Sequence, residues 1–274
     1  MTAVLSLSPA SPADPLCGGP KALLAQAAAV EGRFQDDGWG IACFRGKKAA
    51  VKKSPAPARL EKARFEAAAA AARSTLVVAH LRDASNPAGL PKARLVAPAN
   101  TQPFSAGDFV FAHNGTLFIK DEIKSLLGRY AARVKGSNDS EVLFWQVMKM
   151  LDAYGSPEAA LEAALDEIRT VWISCRDKYP GRPAPYRGLN VFLASPGALT
   201  VLCHYQPHKE GSKKALLTPG WEFGRMAWRR EKSRVIFSSE PADGGAWNKM
   251  NDPEIASASV KSGKLQLSFK RIKL

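Results

Sequence analysis

Residues 108–117 read Asp108-Phe109-Val110-Phe111-Ala112-His113-Asn114-Gly115-Thr116-Leu117. The aromatic and β-branched residues up to Ala112 predict a buried strand, and His113-Asn114-Gly115 predicts a turn that ends it. Just beyond, Lys120 to Leu127 predicts a helix. Asn138-Asp139-Ser140-Glu141 then opens a longer helix, with Asn138 as N-cap and Glu141 three residues on. Ser156-Pro157 starts a further helix that runs to about Ile173. On the N-terminal side, residues 2–8 alternate apolar and small polar side chains and predict a strand at the chain start. A Pro-rich turn from Ser8 to Pro20 and a short helical stretch at 21–30 follow. Strands are predicted at Gly38–Phe44 and Ala49–Lys53, a helix at Leu60–Arg73, a buried strand at Leu76–Leu81 and a loop from Asp83 to Ser105. On the C-terminal side, Leu189–Ala194, Leu199–His204, Val235–Phe237 and Leu265–Phe269 predict strands. Strands, paired helices and strands again predict a layered α/β sandwich rather than a regular βαβ winding.

The composition bounds the classes. The chain has 274 residues, 46% hydrophobic and 23% charged, which fits a globular protein able to bury a core without staples. No apolar run approaches the ~20 residues of a membrane-spanning helix. Met1-Thr2-Ala3-Val4 carries no basic region ahead of an apolar stretch, so no secretory signal is predicted. Cys17, Cys43, Cys175 and Cys203 are far apart, which argues against a disulfide framework or zinc ribbon and predicts a cytoplasmic protein. The net charge of +14 raises the question of a nucleic-acid partner. The basic residues are scattered, however, in pairs such as Lys47-Lys48, Lys213-Lys214 and Arg229-Arg230. Residues 205–274 hold 14 basic and 7 acidic residues, so half of the excess lies in the last quarter. With no helix-turn-helix, zinc-finger or aromatic RNA-binding pattern, the charge reads as a solvated surface, then as a face for an acidic partner, and only distantly as a nucleic-acid surface.

Metal and thiol chemistry find little support. His204 and His208 are separated by Pro207 and cannot form a helical pair, so no metal or other cofactor is predicted. Cys43 and Cys203 fall in strand patterns and read as small core residues. By contrast, several polar segments stand at strand ends. An Arg just after a buried strand, as Arg82 is, can clamp a carboxylate. An Asn-Gly pair, as at Asn114-Gly115, can offer an amide and an unhindered N–H to an oxyanion. An Asp in a helix's first turn, as Asp139 is, can hold an ammonium. Together they suit an amino-acid head attached to a carbonyl that is attacked.

These segments, in order, resemble the class II (N-terminal-nucleophile) glutamine amidotransferases, and especially their compact stand-alone members. The chain has DGWGI at 37–41, AHLRDAS at 79–85, NTQPF at 100–104, FAHNGTL at 111–117, SNDSEVLF at 137–144 and FSSEP at 237–241. The resemblance implies a four-layer αββα sandwich. It implies that Arg82 binds the α-carboxylate of glutamine or a γ-glutamyl group, that Asp139 binds its α-ammonium, and that the Asn114 side chain and the Gly115 N–H form the oxyanion hole. It also implies a nucleophile at the first residue of the mature chain, with its own α-amine, of pKa ~7.7–8.0, as base.

Two positions depart from the family pattern. The family begins Met-Cys; this chain begins Met1-Thr2 and continues into the first strand without a gap, so Thr2 stands in the place of the cysteine. Cys17, followed by Gly18-Gly19-Pro20, reads as loop and cannot begin that strand. Gln102 stands where the family has His in N-x-H-P-F. The expectation is one domain over residues 1–274, with the motifs in 2–173 and a basic, strand-rich part in 188–274. It hydrolyses glutamine or a γ-glutamyl amide through Thr2 after loss of Met1, and releases ammonia to water or to a separate synthase. The alternative is a catalytically silent ligand-binding or regulatory subunit with the same fold.

Overall fold

The computed structural model describes residues 1–29, 34–86, 89–205 and 215–273. The N-terminal part runs β1 (Thr2–Ala10), α1 (Ala13–Cys17), α2 (Leu23–Gln26), β2 (Trp39–Arg45), β3 (Lys48–Ser54), α3 (Lys62–Ala71) and β4 (Ser74–Leu81). The centre runs α4 (Lys92–Leu95), β5 (Phe104–Ala106), β6 (Phe109–Leu117), α5 (Lys120–Ser125), α6 (Asp139–Tyr154) and α7 (Pro157–Cys175). The C-terminal part is all strand: β7 (Tyr186–Ser195), β8 (Ala198–Cys203), β9 (Ala227–Arg230), β10 (Arg234–Ser238), β11 (Asn248–Lys249), β12 (Glu254–Lys261) and β13 (Lys264–Arg271).

Two sheets form, one ordered β11-β9-β10-β1-β4-β2-β3 and the other β13-β12-β8-β7-β6-β5. Strand alternation sends one set of side chains between the sheets and the other set to an outer helical layer. Leu5, Phe44, Val78, Val110, Phe192 and Val201 fill the space between the sheets. Leu16, Leu23 and Phe65 from α1, α2 and α3 cover Trp39, Ile41 and Val77 on one outer face. Ile123, Phe144, Val147, Leu161 and Ile168 from α5, α6 and α7 cover Phe111, Val191 and Leu193 on the other. The result is the expected four-layer αββα sandwich. No helix among the described residues is long and apolar enough to cross a membrane.

The structure differs from expectation in several places, among them the stretch from Asp83 to Ser105, expected as loop, which holds α4 and the start of β5. His113-Asn114-Gly115 is not a turn: β6 continues through it to Leu117, paired with β7, with a register shift between Gly115 and Thr116. The Pro-rich stretch after β1 holds α1, whose N-cap is Pro12, because a proline is harmless ahead of the first turn. Strands β9 and β11, short and rich in polar and basic residues, complete one sheet without a strand period, and β12, unexpected above, alternates Ala256, Ala258 and Val260 with Ser257 and Ser259 in the other. The helix caps match: Asn138 Oδ1 accepts from Glu141 N at 3.0 Å, and the Ser156 side chain accepts from Ala159 N at 3.1 Å.

Candidate functional site

Arg82 follows β4 directly and is locked to the DGWG segment. Asp37 N donates to Arg82 O at 3.0 Å, and Arg82 N donates to Gly38 O at 2.8 Å. The Asp37 carboxylate accepts from Ala84 N at 2.8 Å, closing the loop beyond. The segment is anchored from below by Trp39, whose Nε1 donates to Glu61 at 2.8 Å and whose ring packs edge-on against Phe65. Gly40 is required here, since a Cβ would collide with the Gln102 carbonyl oxygen. The Arg82 guanidinium is buried and donates to Leu95 O at 2.8 Å. Burial lowers its pKa, while Asp37, Asp139 and Asp83 oppose that.

Asn114 and Gly115 lie at the end of β6. The preceding residue is fixed twice over. Gln102 Oε1 accepts from His113 N at 2.7 Å, and Gln102 Nε2 donates to His113 O at 3.0 Å. His113 Nδ1 is 3.0 Å from Ser140 Oγ, which ties β6 to the start of α6. Gly115 has φ +150°, and a Cβ there would overlap the Gly188 carbonyl on β7. Only glycine suits that close approach. Asn114 Nδ2 donates to Ser239 Oγ at 3.2 Å.

Asp139 opens α6, and its Oδ2 accepts from Leu117 N at 2.6 Å. The loop before it is held by buried side chains. Asn100 Oδ1 accepts from Ser137 N at 2.8 Å, and the Glu141 carboxylate accepts from the N–H groups of Lys135 at 3.0 Å and Gly136 at 2.5 Å. NTQPF and SNDSE are thus one hydrogen-bonded unit.

Arg82, Asn114, Gly115 and Asp139 all line a single cavity of about 620 Å³. Thr2 does not. It is fully buried, and its Oγ1 lies 2.9 Å from Ser238 Oγ on β10. Met1 lines the cavity instead, and its amine donates to Ser239 Oγ at 2.6 Å. Burial pushes that amine from 8.0 down to about 5, with Glu240 opposing.

Several residues of the site had no role in the sequence reading. Ser239 meets both Met1 and Asn114, and its only signal was membership of FSSEP. His80 and His113 are buried against the cavity. Burial holds both imidazoles below the usual 6.5, aided for His80 by the terminal amine and Arg82, and opposed for His113 by Asp139.

The other candidates lie elsewhere. His204 Nδ1 is 2.6 Å from Asp252 and its Nε2 is 2.8 Å from the Tyr186 hydroxyl, so both ring nitrogens are engaged. No cluster suited to a metal occurs among the described residues. His208 and Lys213-Lys214 lie outside the described residues. Burial pushes the Cys203 thiol to about 12 and raises that of Cys43, which opposes thiolate chemistry at either.

A family model described as "Glutamine amidotransferases class-II" matches residues 1–177. Among curated proteins none matches the sequence. Among solved structures, the chain is similar to a glutamine aminotransferase class-II domain protein from Silicibacter pomeroyi, with 17% identity, a TM-score of 0.64 and coverage of 97% of both chains. It is also similar to the glutamine phosphoribosylpyrophosphate amidotransferase from B. subtilis complexed with ADP and GMP, with 12% identity, a TM-score of 0.61 and coverage of 97% of this chain. It spans about half of that enzyme, 48% of its length.

Proposed function

The chain belongs to the class II glutamine amidotransferases, and from that premise we propose that it hydrolyses glutamine or a γ-glutamyl amide through Thr2 after removal of Met1. The observation that carries the reading is the convergence of Arg82, Asp139, Asn114 and Gly115 on one cavity. The α-carboxylate pairs with Arg82 and the α-ammonium with Asp139, which places the γ-carbonyl toward Asn114 and Gly115. The Asn114 amide and the Gly115 N–H then stabilise the oxyanion as Thr2 attacks. The attack yields a γ-glutamyl ester on Thr2, with the free α-amine as base, and water releases glutamate. A cavity of about 620 Å³ exceeds the needs of a free amino acid and favours a larger γ-glutamyl amide. The amine leaves to water or to a separate synthase or acidic partner protein.

One observation favours the second reading, a silent binding subunit: Met1, not Thr2, faces the cavity. Intact mass and glutamate release from glutamine, compared among wild type, Thr2→Cys and Thr2→Ala, separate the two. The hydrolytic reading expects loss of Met1 and a Thr2→Ala variant without activity. Retained Met1, or a Thr2→Ala protein equal to wild type beside a Thr2→Cys protein that gains activity, leaves the binding subunit.

A further inference from the structure

A γ-glutamyl amide is longer than glutamine, and the order of the strands decides where its extra part goes. The groups that suit the amino-acid head lie on the β5 side of β6. The Arg82 guanidinium donates to Leu95 O, which also accepts from Asn100 Nδ2 at 3.1 Å, and Asn100 is bonded to Ser137, two residues ahead of Asp139. Asn114 and Gly115 stand on β6 itself, and β7 forms the opposite flank. A ligand with its head at Arg82 and Asp139 and its γ-carbonyl at Asn114 and Gly115 therefore sends its amide substituent toward β7. Gly115 and Gly188 both line the cavity and put no side chain in that passage.

Arg187 stands on that flank. It is paired with Thr116 across β6 and β7, so the two side chains leave the sheet on the same face. Thr116 Oγ1 donates to Ser85 Oγ at 2.9 Å on the loop after β4, which makes this the face turned to the other sheet and the cavity. Arg187 lines the cavity and is exposed. Among the described residues none of the cavity's carboxylates pairs with it. Glu222 is taken by Arg225 at 2.7 Å and Lys249 at 2.8 Å, Glu240 accepts from Leu217 N at 3.2 Å, and Asp139 accepts from Leu117 N. Arg182 also lines the cavity, but its guanidinium lies over the Phe118 ring, 4.2 Å from the centroid. Resting on the γ-glutamyl reading above, we propose that Arg187 is a specificity-determining residue that selects a γ-glutamyl amide whose amine half carries a carboxylate close to the amide nitrogen, as a γ-glutamyl amino acid does. Neighbouring strands are about 4.8 Å apart. Bonds of about 1.3, 1.5 and 1.5 Å carry such a carboxylate up to about 4 Å beyond the γ-carbonyl carbon, within reach of a guanidinium one strand away. The planar guanidinium donates two parallel hydrogen bonds to it. The assignment is independent of which group attacks the carbonyl.

The probes are γ-glutamylglycine and γ-glutamylglycinamide, which differ only in carboxylate against carboxamide, with glutamine as the reference. Selectivity is read as the ratio of dissociation constants by calorimetry, or of kcat/KM where glutamate is released. An exposed ion pair is worth about 1.4–5-fold, and a bidentate one stands at the top of that range. Wild type is expected to prefer γ-glutamylglycine about fivefold at low salt, and the preference shrinks as salt rises. Arg187→Gln brings the ratio to about one and leaves glutamine binding unchanged, while Arg182→Gln keeps the wild-type ratio. Equal treatment of the two probes by wild type, or a preference that survives Arg187→Gln, overturns the role of Arg187 and leaves the γ-glutamyl reading in place. Loss of glutamine binding in Arg187→Gln, or rejection of both probes by a wild type that binds glutamine, overturns it too. If wild type takes neither the probes nor glutamine, the γ-glutamyl reading fails and the role of Arg187 with it.

Discussion

Replacing Asp139 by Asn isolates the ammonium-binding role, because the change is isosteric. Oδ2 of Asp139 is already committed to Leu117 N at 2.6 Å. The asparagine side chain keeps that acceptor by pointing its amide oxygen at Leu117, which turns its NH₂ toward the ligand. A charge-assisted acceptor for the substrate ammonium is then exchanged for a donor facing a donor. Hydrogen bonds to charged groups are worth about 1.5–3 kcal/mol net, and each ~1.4 kcal/mol is tenfold in affinity. Asp139 is half-buried, so the expected weakening of glutamine binding is about 10–150-fold rather than the larger interior value. The competing explanation is that Asp139 serves only the α6 dipole, a contribution of about 0.3–1 kcal/mol to stability. Calorimetric titration separates the two when glutamine is compared with its analogue lacking the α-amine. If Asp139 holds the ammonium, wild type prefers glutamine and Asp139→Asn loses that preference with little change in melting temperature. Unchanged selectivity beside a lowered melting temperature would falsify the assignment.

Gly115→Ala forces a side chain at φ +150° against Gly188 O, with His113 Nε2 2.7 Å from the new Cβ. Because backbone lies on one side and a buried ring on the other, the expected destabilisation is about 3 kcal/mol or more. Urea unfolding checks it, and an unchanged midpoint refutes the close approach of β6 and β7. His80 and His113 are held neutral in the fold below their unfolded 6.5. Unfolding therefore takes up protons once the pH falls below that value, and stability present above pH 6.5 is lost progressively in acid. Each group contributes only over the interval between its unfolded and its lower folded pKa, so the loss sets in as the pH falls through 6.5. Replacing both by Gln should flatten the stability profile between pH 6.5 and 5, and an equally steep profile counts against buried neutral imidazoles.

Much of the architecture was legible because it rests on local signals. The alternation at residues 2–8, the apolar run at Leu76–Leu81 and the Asn138 and Ser156 caps each specify an element without help from distant chain. His113-Asn114-Gly115 misled for a physical reason. Asn-Gly is a turn signal only when the chain is free to turn, and here β7 and Gln102 hold it extended. Strand β9, Ala227-Trp228-Arg229-Arg230, is legible only once β10 is in place to pair with it. Arg82, Asn114, Gly115 and Asp139, which line the cavity, stand out in the sequence because each lies beside a strand end or a helix start. Ser238 and Ser239 do not, because their contacts with Thr2 and Met1 join residues 236 and 238 positions apart. Only β1 lying between β4 and β10 creates them.

Gln102 shows how a departure from the family pattern can preserve a site's geometry. Its side-chain amide presents a donor and an acceptor side by side and nearly parallel, as a peptide edge does, and it pairs with both His113 N and His113 O. A neutral imidazole also has one donor and one acceptor, but its two nitrogens point apart and cannot both reach the same residue's N–H and C=O. Glutamine therefore supplies two strand-like bonds, worth about 1–3 kcal/mol together, where histidine supplies one. These bonds hold the backbone next to Asn114 from the side opposite β7, and they lie between Gly40, which approaches the Gln102 carbonyl, and the Asn114-Gly115 pair. The substitution removes a titratable ring from the cavity wall while holding Asn114 in register. Within the proposed reaction the two departures thus act on different things: Gln102 on the frame that would position the donors, and Thr2 on the proton that would leave the nucleophile.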